Sequence, residues 1–197
     1  MEISARFYGC AKLQVSKHIE NKILEVKTME LKNYIRDVTD FPKAGIVFKD
    51  ISPLLASPTA LKEAAARIKS EWHGSVDSIA ALDARGFIFG GILACDMDIP
   101  LVMLRKRGKL PGATRQVSYD LEYGSAVLEV VADAFPNGNR VLVVDDLLAT
   151  GGTAAAACDL IEICGATVAG CAFIIELEHL EGRKILDGRK IQSLVAY

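Results

Sequence analysis

Between residues 60 and 177, short and nearly continuous apolar runs take turns with helix-forming stretches. That alternation restricts the fold more than any other feature of the chain. The runs are "VDSIAAL" (76–82), "IPLVMLR" (99–105), "SAVLEVVADAF" (125–135), "RVLVVDD" (140–146) and "TVAGCAFIIEL" (167–177). A strand with one wet face alternates apolar and polar residues, whereas a run apolar at nearly every position is read as buried on both faces, as in parallel sheets. "SAVLEVVADAF" is rich in β-branched residues and is read as two-sided. Between the runs, "ALKEAAARIKSEW" (60–72) has the Ala, Lys and Glu content of a helix. "FIFGGILACDM" (87–97) continues as a second helix, its glycines permitting close packing. "TAAAACDLIEICG" (153–165) sets Ala157, Leu160, Ile161 and Cys164 on one face and stops at Gly165. The expected fold class is α/β, a mostly parallel central sheet flanked by helices.

At 197 residues, 51% of them apolar, the chain can bury one core of ordinary size, so one domain is expected. Residues 1–28 lack clear periodicity, and Met29 offers a second plausible start. They are read as a non-catalytic N-terminal extension, leaving 29–197 as the working domain. A net charge of −2 argues against nucleic acid as partner. No apolar run is long enough to span a membrane, and the N-terminus lacks a signal peptide's pattern. Five cysteines without a CxxC pair, and three scattered histidines, argue against a disulfide framework or a zinc site. Buried free thiols in a reducing cytoplasm are expected.

In sheets of this kind ligands bind beyond the carboxyl ends of the strands. Asp83, Arg105 and Asp145 fall at such ends. The densest chemistry is in "VLVVDDLLATGGT" (141–153), where a buried strand runs into two adjacent aspartates and a loop with two glycines. The free N–H groups of Ala149, Thr150, Gly151, Gly152 and Thr153 precede a helix and suit an anion. The loop lacks the lysine of a triphosphate-binding loop and the glycine pattern of a dinucleotide fold, so a monophosphate is expected. Two carboxylates beside a phosphate repel it unless something intervenes. A ribose diol does so, because its hydroxyls donate to ionised Asp145 and Asp146. The DD pair alone would serve as an ordinary helix cap, but a cap has no use for the whole string.

That string resembles the phosphoribosyl-pyrophosphate signature of the type I phosphoribosyltransferases. "DFPKAGIVFKDISPLL" (40–55), "ALDARGFIFGG" (81–91), "RKRGKLPG" (105–112) and "YDLEYG" (119–124) narrow the resemblance to the adenine-using branch of that family. It covers about residues 30–197. It implies the type I phosphoribosyltransferase fold with a small N-terminal hood at 29–55, a homodimer, and a magnesium ion (Mg2+) held mainly through substrate and water. The implied reaction, in purine salvage, is adenine + 5-phosphoribosyl 1-pyrophosphate → AMP + pyrophosphate. It further implies an often cis peptide between Asp83 and Ala84 that aims backbone donors at the pyrophosphate. Arg85, a planar five-donor fork, suits the same group. Arg105, Lys106, Arg107 and Lys109, with Gly108 among them, would otherwise read as a solvated charge run. At the end of a buried strand they read equally as an anion-binding lid that excludes water. At the lid's far end, Tyr123 lies beside Glu122, which the resemblance puts at purine N7 as the acid/base candidate. It also implies that the backbone C=O of Val47 and N–H of Lys49 read the adenine edge; the direction of the Lys49 ammonium is open. The alternatives are a phosphoribosyltransferase for xanthine or hypoxanthine, and a non-catalytic regulator sensing phosphoribosyl pyrophosphate. A regulator would need a DNA-binding domain or a basic face. The extension is too short for one and the charge is wrong for the other.

Overall fold

The structure, a computed structural model, describes residues 29–120 and 125–197, without the side chain of Asp120. The expected N-terminal extension (1–28) lies outside the described residues. All elements below belong to Leu31–Tyr197.

A 3-10 turn, Leu31–Tyr34, leads into an antiparallel hairpin of β1 (Arg36–Thr39) and β2 (Val47–Asp50), which forms its own two-stranded sheet. Short helix α1 (Ser52–Ala56) and helix α2 (Pro58–Trp72) follow. Helix α2 starts where Ser57 accepts the Ala60 N–H and Pro58 occupies the first turn, whose N–H groups need no helical partner. Its inner face is Ala60, Ala64, Ile68 and Trp72, all essentially fully buried.

The remaining strands are β3 (Ser78–Leu82), β4 (Leu101–Lys106), β5 (Thr114–Asp120), β6 (Ser125–Val131), β7 (Arg140–Leu148), β8 (Thr167–Glu176) and β9 (Ile191–Ala196). They form one sheet in the order β5-β6-β4-β3-β7-β8-β9. The pairings β3–β4, β3–β7, β7–β8 and β8–β9 are parallel; β4–β6 and β5–β6 are antiparallel. Helices α3 (Gly86–Met97) and α4 (Gly152–Ile163) are the crossovers after β3 and β7. Helix α4 ends where the N–H of Gly165 reaches the Glu162 carbonyl at 2.9 Å and that of Ala166 reaches Ile161 at 3.2 Å, a Schellman closure. Gly165 stops the helix as the sequence predicts.

Four expectations change. Strand β4 is not buried on both faces, because Leu101 and Met103 are exposed while Val102 and Leu104 are buried. The run 125–135 is strand only to Val131 and turns away afterwards. The run 167–177, read as the last of the strands, is followed by another, since β9 adds an edge beside β8. Cys95 is exposed and Cys164 half-buried, so among the described residues the buried thiols are Cys158 and Cys171.

Candidate functional site

The register of the central strands brings the charged residues to one place. Leu82 pairs with Leu104, and Ala81 with Val144, so Asp83, just past the end of β3, comes beside Arg105 and Asp145. Strand β7 runs on to Leu148, so Asp145 lies inside its strand and not at the end the sequence predicts. The crossover after β3 leads to β4 on one side and the crossover after β7 leads to β8 on the other, so the sheet opens a crevice between β3 and β7. Arg105 Nε donates to Asp83 Oδ2 at 3.0 Å, and its Nη1 to the Lys109 carbonyl at 3.3 Å.

The Asp83–Ala84 peptide is cis. Arg85 follows on the turn into α3, and its Nε donates to Asp146 Oδ2 at 2.5 Å. A Cβ at Gly86 would lie 2.7 Å from the Val144 carbonyl oxygen and 3.2 Å from the Asp145 Cα. Only glycine lets the turn carrying Arg85 rest on β7 beside the two aspartates. Asp146 is 4% exposed. Asp145 accepts the Asp146 N–H through Oδ1 at 2.8 Å. Burial, and next the Asp146 charge, push the Asp145 carboxyl well above the ordinary carboxylate range.

Asp145, Ala149, Thr150, Gly151, Gly152 and Thr153 line a cavity of about 90 Å³, with Phe173 and Leu148 behind them. Gly151, at φ +85°, turns the chain into α4, so the N–H groups of the first helical turn are unclaimed by the helix. The loop is backed by a second glycine. A Cβ on Gly151 would meet the Gly182 carbonyl oxygen at 2.5 Å, and one on Gly182 would meet the Ala149 carbonyl oxygen at 2.3 Å. The 3-10 turn Gly182–Lys184 is held in place by Arg183, whose Nε and Nη2 donate to the buried Glu176 carboxylate at 2.6 and 2.7 Å.

Lys106, Arg107, Gly108 and Lys109 are all exposed. What roots the loop is Glu129 of β6, 3% exposed, whose Oε1 accepts the N–H groups of Lys109 and Leu110 at 3.1 and 3.2 Å. Glu122 and Tyr123 lie outside the described residues.

Val47 and Lys49 sit on β2, two apart, so their backbone groups address one edge of the hairpin. Lys49 Nζ turns to Asp37 Oδ1 at 2.8 Å and to the Tyr197 ring, 3.8 Å from its centroid. Phe48, on the opposite face, lies under the Arg85 guanidinium at 5.8 Å and meets the Phe41 ring edge-on. With Val38 and Asp50 these two rings line an open hollow of about 220 Å³.

Glu129, Phe48, Gly182 and Tyr197 escaped the reading of the sequence. Only Glu129 carried a signal, a carboxylate in the middle of an apolar run, where burial demands partners.

The family of the phosphoribosyl transferase domain matches residues 49–193. An adenine phosphoribosyltransferase of Methylococcus capsulatus is 53% identical over 169 residues, 85% of this chain and 99% of that protein. One from Nitrosococcus oceani is 49% identical over 85% of this chain and 98% of its own. The crystal structure of adenine phosphoribosyltransferase from Thermoanaerobacter pseudethanolicus superposes with a TM-score of 0.83 at 45% identity, covering 87% of this chain and 100% of that one. The Saccharomyces cerevisiae enzyme, complexed with an imino-altritol bisphosphate and adenine, superposes at 0.80 with 35% identity, covering 85% and 97%.

Proposed function

We infer what the site does from one premise: this chain belongs to the phosphoribosyl transferase family, among its adenine phosphoribosyltransferases. It joins adenine to 5-phosphoribosyl 1-pyrophosphate, giving AMP and pyrophosphate in purine salvage. The observation that carries the assignment of parts is the convergence of Asp83, Arg85, Arg105 and Asp145 beside the 149–153 loop.

Each part then has a task. The backbone of Ala149–Thr153, with the Thr150 and Thr153 hydroxyls, holds the 5′-phosphate, as helix N-termini do. Asp145 and Asp146 accept the ribose hydroxyls. Arg85, Arg105, Lys106 and Lys109, with the backbone at Asp83 and Ala84, take the pyrophosphate; Arg107, Gly108 and Tyr123 complete the lid. Glu122 attends the imidazole edge of the base. As the C–O bond to pyrophosphate lengthens, negative charge grows on the leaving group and positive charge on the anomeric carbon, which adenine N9 attacks. The fixed cations meet the first charge, and the loop geometry aligns the second centre.

The donor set beside the loop is two carboxylates, hard oxygen ligands that fit Mg2+ held through water. When bound, the ion supplies positive charge to the pyrophosphoryl oxygens; Asp145 and Asp146 are the residues that would hold it.

Base specificity follows from backbone polarity. The Val47 carbonyl accepts from the adenine 6-amino group and the Lys49 N–H donates to N1; neither can be inverted by a rotamer. Hypoxanthine would face acceptor with acceptor and donor with donor. The Lys49 ammonium is engaged by Asp37 and Tyr197, which supports the backbone as the reader, and Phe48 offers the purine a stacking face.

Residues 29–197 form the catalytic domain and 1–28 a non-catalytic extension; the match to the Methylococcus relative is as long as the stretch from Met29 to Tyr197. A reducing cytoplasm suits Cys158 and Cys171, free thiols with sulfurs 3.8 Å apart. No described helix is long and apolar enough to cross a membrane. A homodimer accounts for Ile88, Leu101 and Met103, large apolar residues left exposed on α3 and β4. The test is pyrophosphate release by the full chain and by a chain starting at Met29, with adenine, hypoxanthine and guanine. Both chains should favour adenine by about 10⁴ or more in kcat/KM, because a mismatched base leaves buried polar groups unpaired. Preference for an oxopurine would overturn the base assignment, and an inactive shorter chain the domain assignment.

A further inference from the structure

Lys49 carries the backbone N–H assigned above to adenine N1, so whatever fixes Lys49 fixes the edge that reads the base. Its side chain is only 12% exposed. Nζ donates across the hairpin to Asp37 Oδ1 at 2.8 Å and lies 3.8 Å from the centroid of the Tyr197 ring. Lys32, on the turn before β1, brings its Nζ to 4.4 Å from the same centroid. One aromatic ring therefore gathers two ammonium groups, from the turn that enters the hairpin and from the strand that leaves it.

Tyr197 is itself fastened to the main sheet. Its N–H donates to the Glu176 carbonyl at 3.0 Å, and its carbonyl accepts from the Glu178 N–H at 2.9 Å. Glu176 ends β8, and its carboxylate is clamped by Arg183. The contacts thus run from the rigid end of β8, through the tyrosine ring, to the ammonium of the residue whose backbone faces the base. The opposite face of β2 meets the Arg85 guanidinium through Phe48. The strand is thereby gripped from both sides, by cation–ring contacts of reversed sense.

We propose that Tyr197 is a positioning residue for base recognition, holding β2 at the height over the sheet at which Val47 and Lys49 meet the adenine edge. The inference rests on the adenine assignment above. A ring does this where a carboxylate would not. It attracts both ammonium groups through its quadrupole, without competing with Asp37 for the directed hydrogen bond. Tyr197 is assigned no contact with the phosphoribosyl donor, so its loss acts on one substrate and spares the other.

Steady-state kinetics of Tyr197→Ala and Tyr197→Phe, each substrate varied at saturation of the other, test this. Losing the ring contact should raise the KM for adenine about fivefold while the donor KM stays within about twofold. Adenine should also lose part of its advantage over hypoxanthine. Tyr197→Phe keeps the ring and should restore wild-type values. Should Tyr197→Ala not fold, Lys49→Gln removes the ammonium, keeps the backbone, and should give the same selective rise. An unchanged adenine KM, an equal rise in both KM values, or a Tyr197→Phe variant as impaired as the alanine, overturns the role. Wild-type protein inert toward adenine would overturn the base assignment instead, and the same assay reads that outcome separately.

Discussion

When ionised, Asp145 works against the fold that holds it. Burial, then the charge of Asp146, raise its pKa above the value it has in the unfolded chain. A group shifted upward contributes stability fully while protonated, below its unfolded value. That contribution is lost as pH rises through the folded value. Asp145→Asn, neutral at every pH, is therefore expected to melt at a higher temperature than the wild type near pH 7, the gap closing toward acid. The same variant should lose about ten- to hundredfold in kcat/KM for the phosphoribosyl donor, the worth of a hydrogen bond to a charged group. Thermal melts across pH and donor kinetics check the pair; a lower melting point at pH 7 with unaltered kinetics would contradict both halves. Asp145 and Asp146 were legible in the sequence because an acid pair closing an apolar run has few uses. The ion pair of Asp146 with Arg85 was not, since it joins residues far apart in the chain that only the β3–β7 register brings together.

Among the elements, helices and central strands announced themselves through local pattern, while edges did not. β4 reads as apolar throughout, and nothing local says which of its faces lacks a cover. β9 is too polar at its start to stand out, and it is defined by pairing with β8. The 3-10 turn Gly182–Lys184 left no signal at all, yet it backs the loop proposed to hold the 5′-phosphate. Its role gives a prediction at this scale. A Cβ at Gly182 would sit 2.3 Å from the Ala149 carbonyl oxygen, which forces the loop to shift. Gly182→Ala should lower kcat/KM for the donor by roughly ten- to hundredfold, as small misplacements of binding groups do. The KM for adenine, bound at the hairpin, should hold. Kinetics with each substrate varied in turn will show it, and unaltered donor kinetics would mean the loop yields without consequence.

For the whole molecule, the exposed face of β4 matters most. Leu101 and Met103 are 38% and 45% exposed, on one face of a strand that the sequence marks as interior. That contradiction between pattern and exposure is what an absent partner surface produces, and a second copy of the chain is the partner proposed. Met103→Glu should convert a dimer to a monomer in sedimentation velocity, because an interface core excludes unpaired charge. A wild-type chain that sediments as a monomer, or a variant that still dimerises, would assign the face another role. The backbone contact between Gly151 and Gly182 has a consequence on this scale too. It presses the loop against a turn that is itself braced to β8, so the loop loses its conformational freedom when the chain folds. For the donor proposed to bind there the cradle is already shaped, and the entropy of fixing it is surrendered once in the life of the molecule, not again at every turnover.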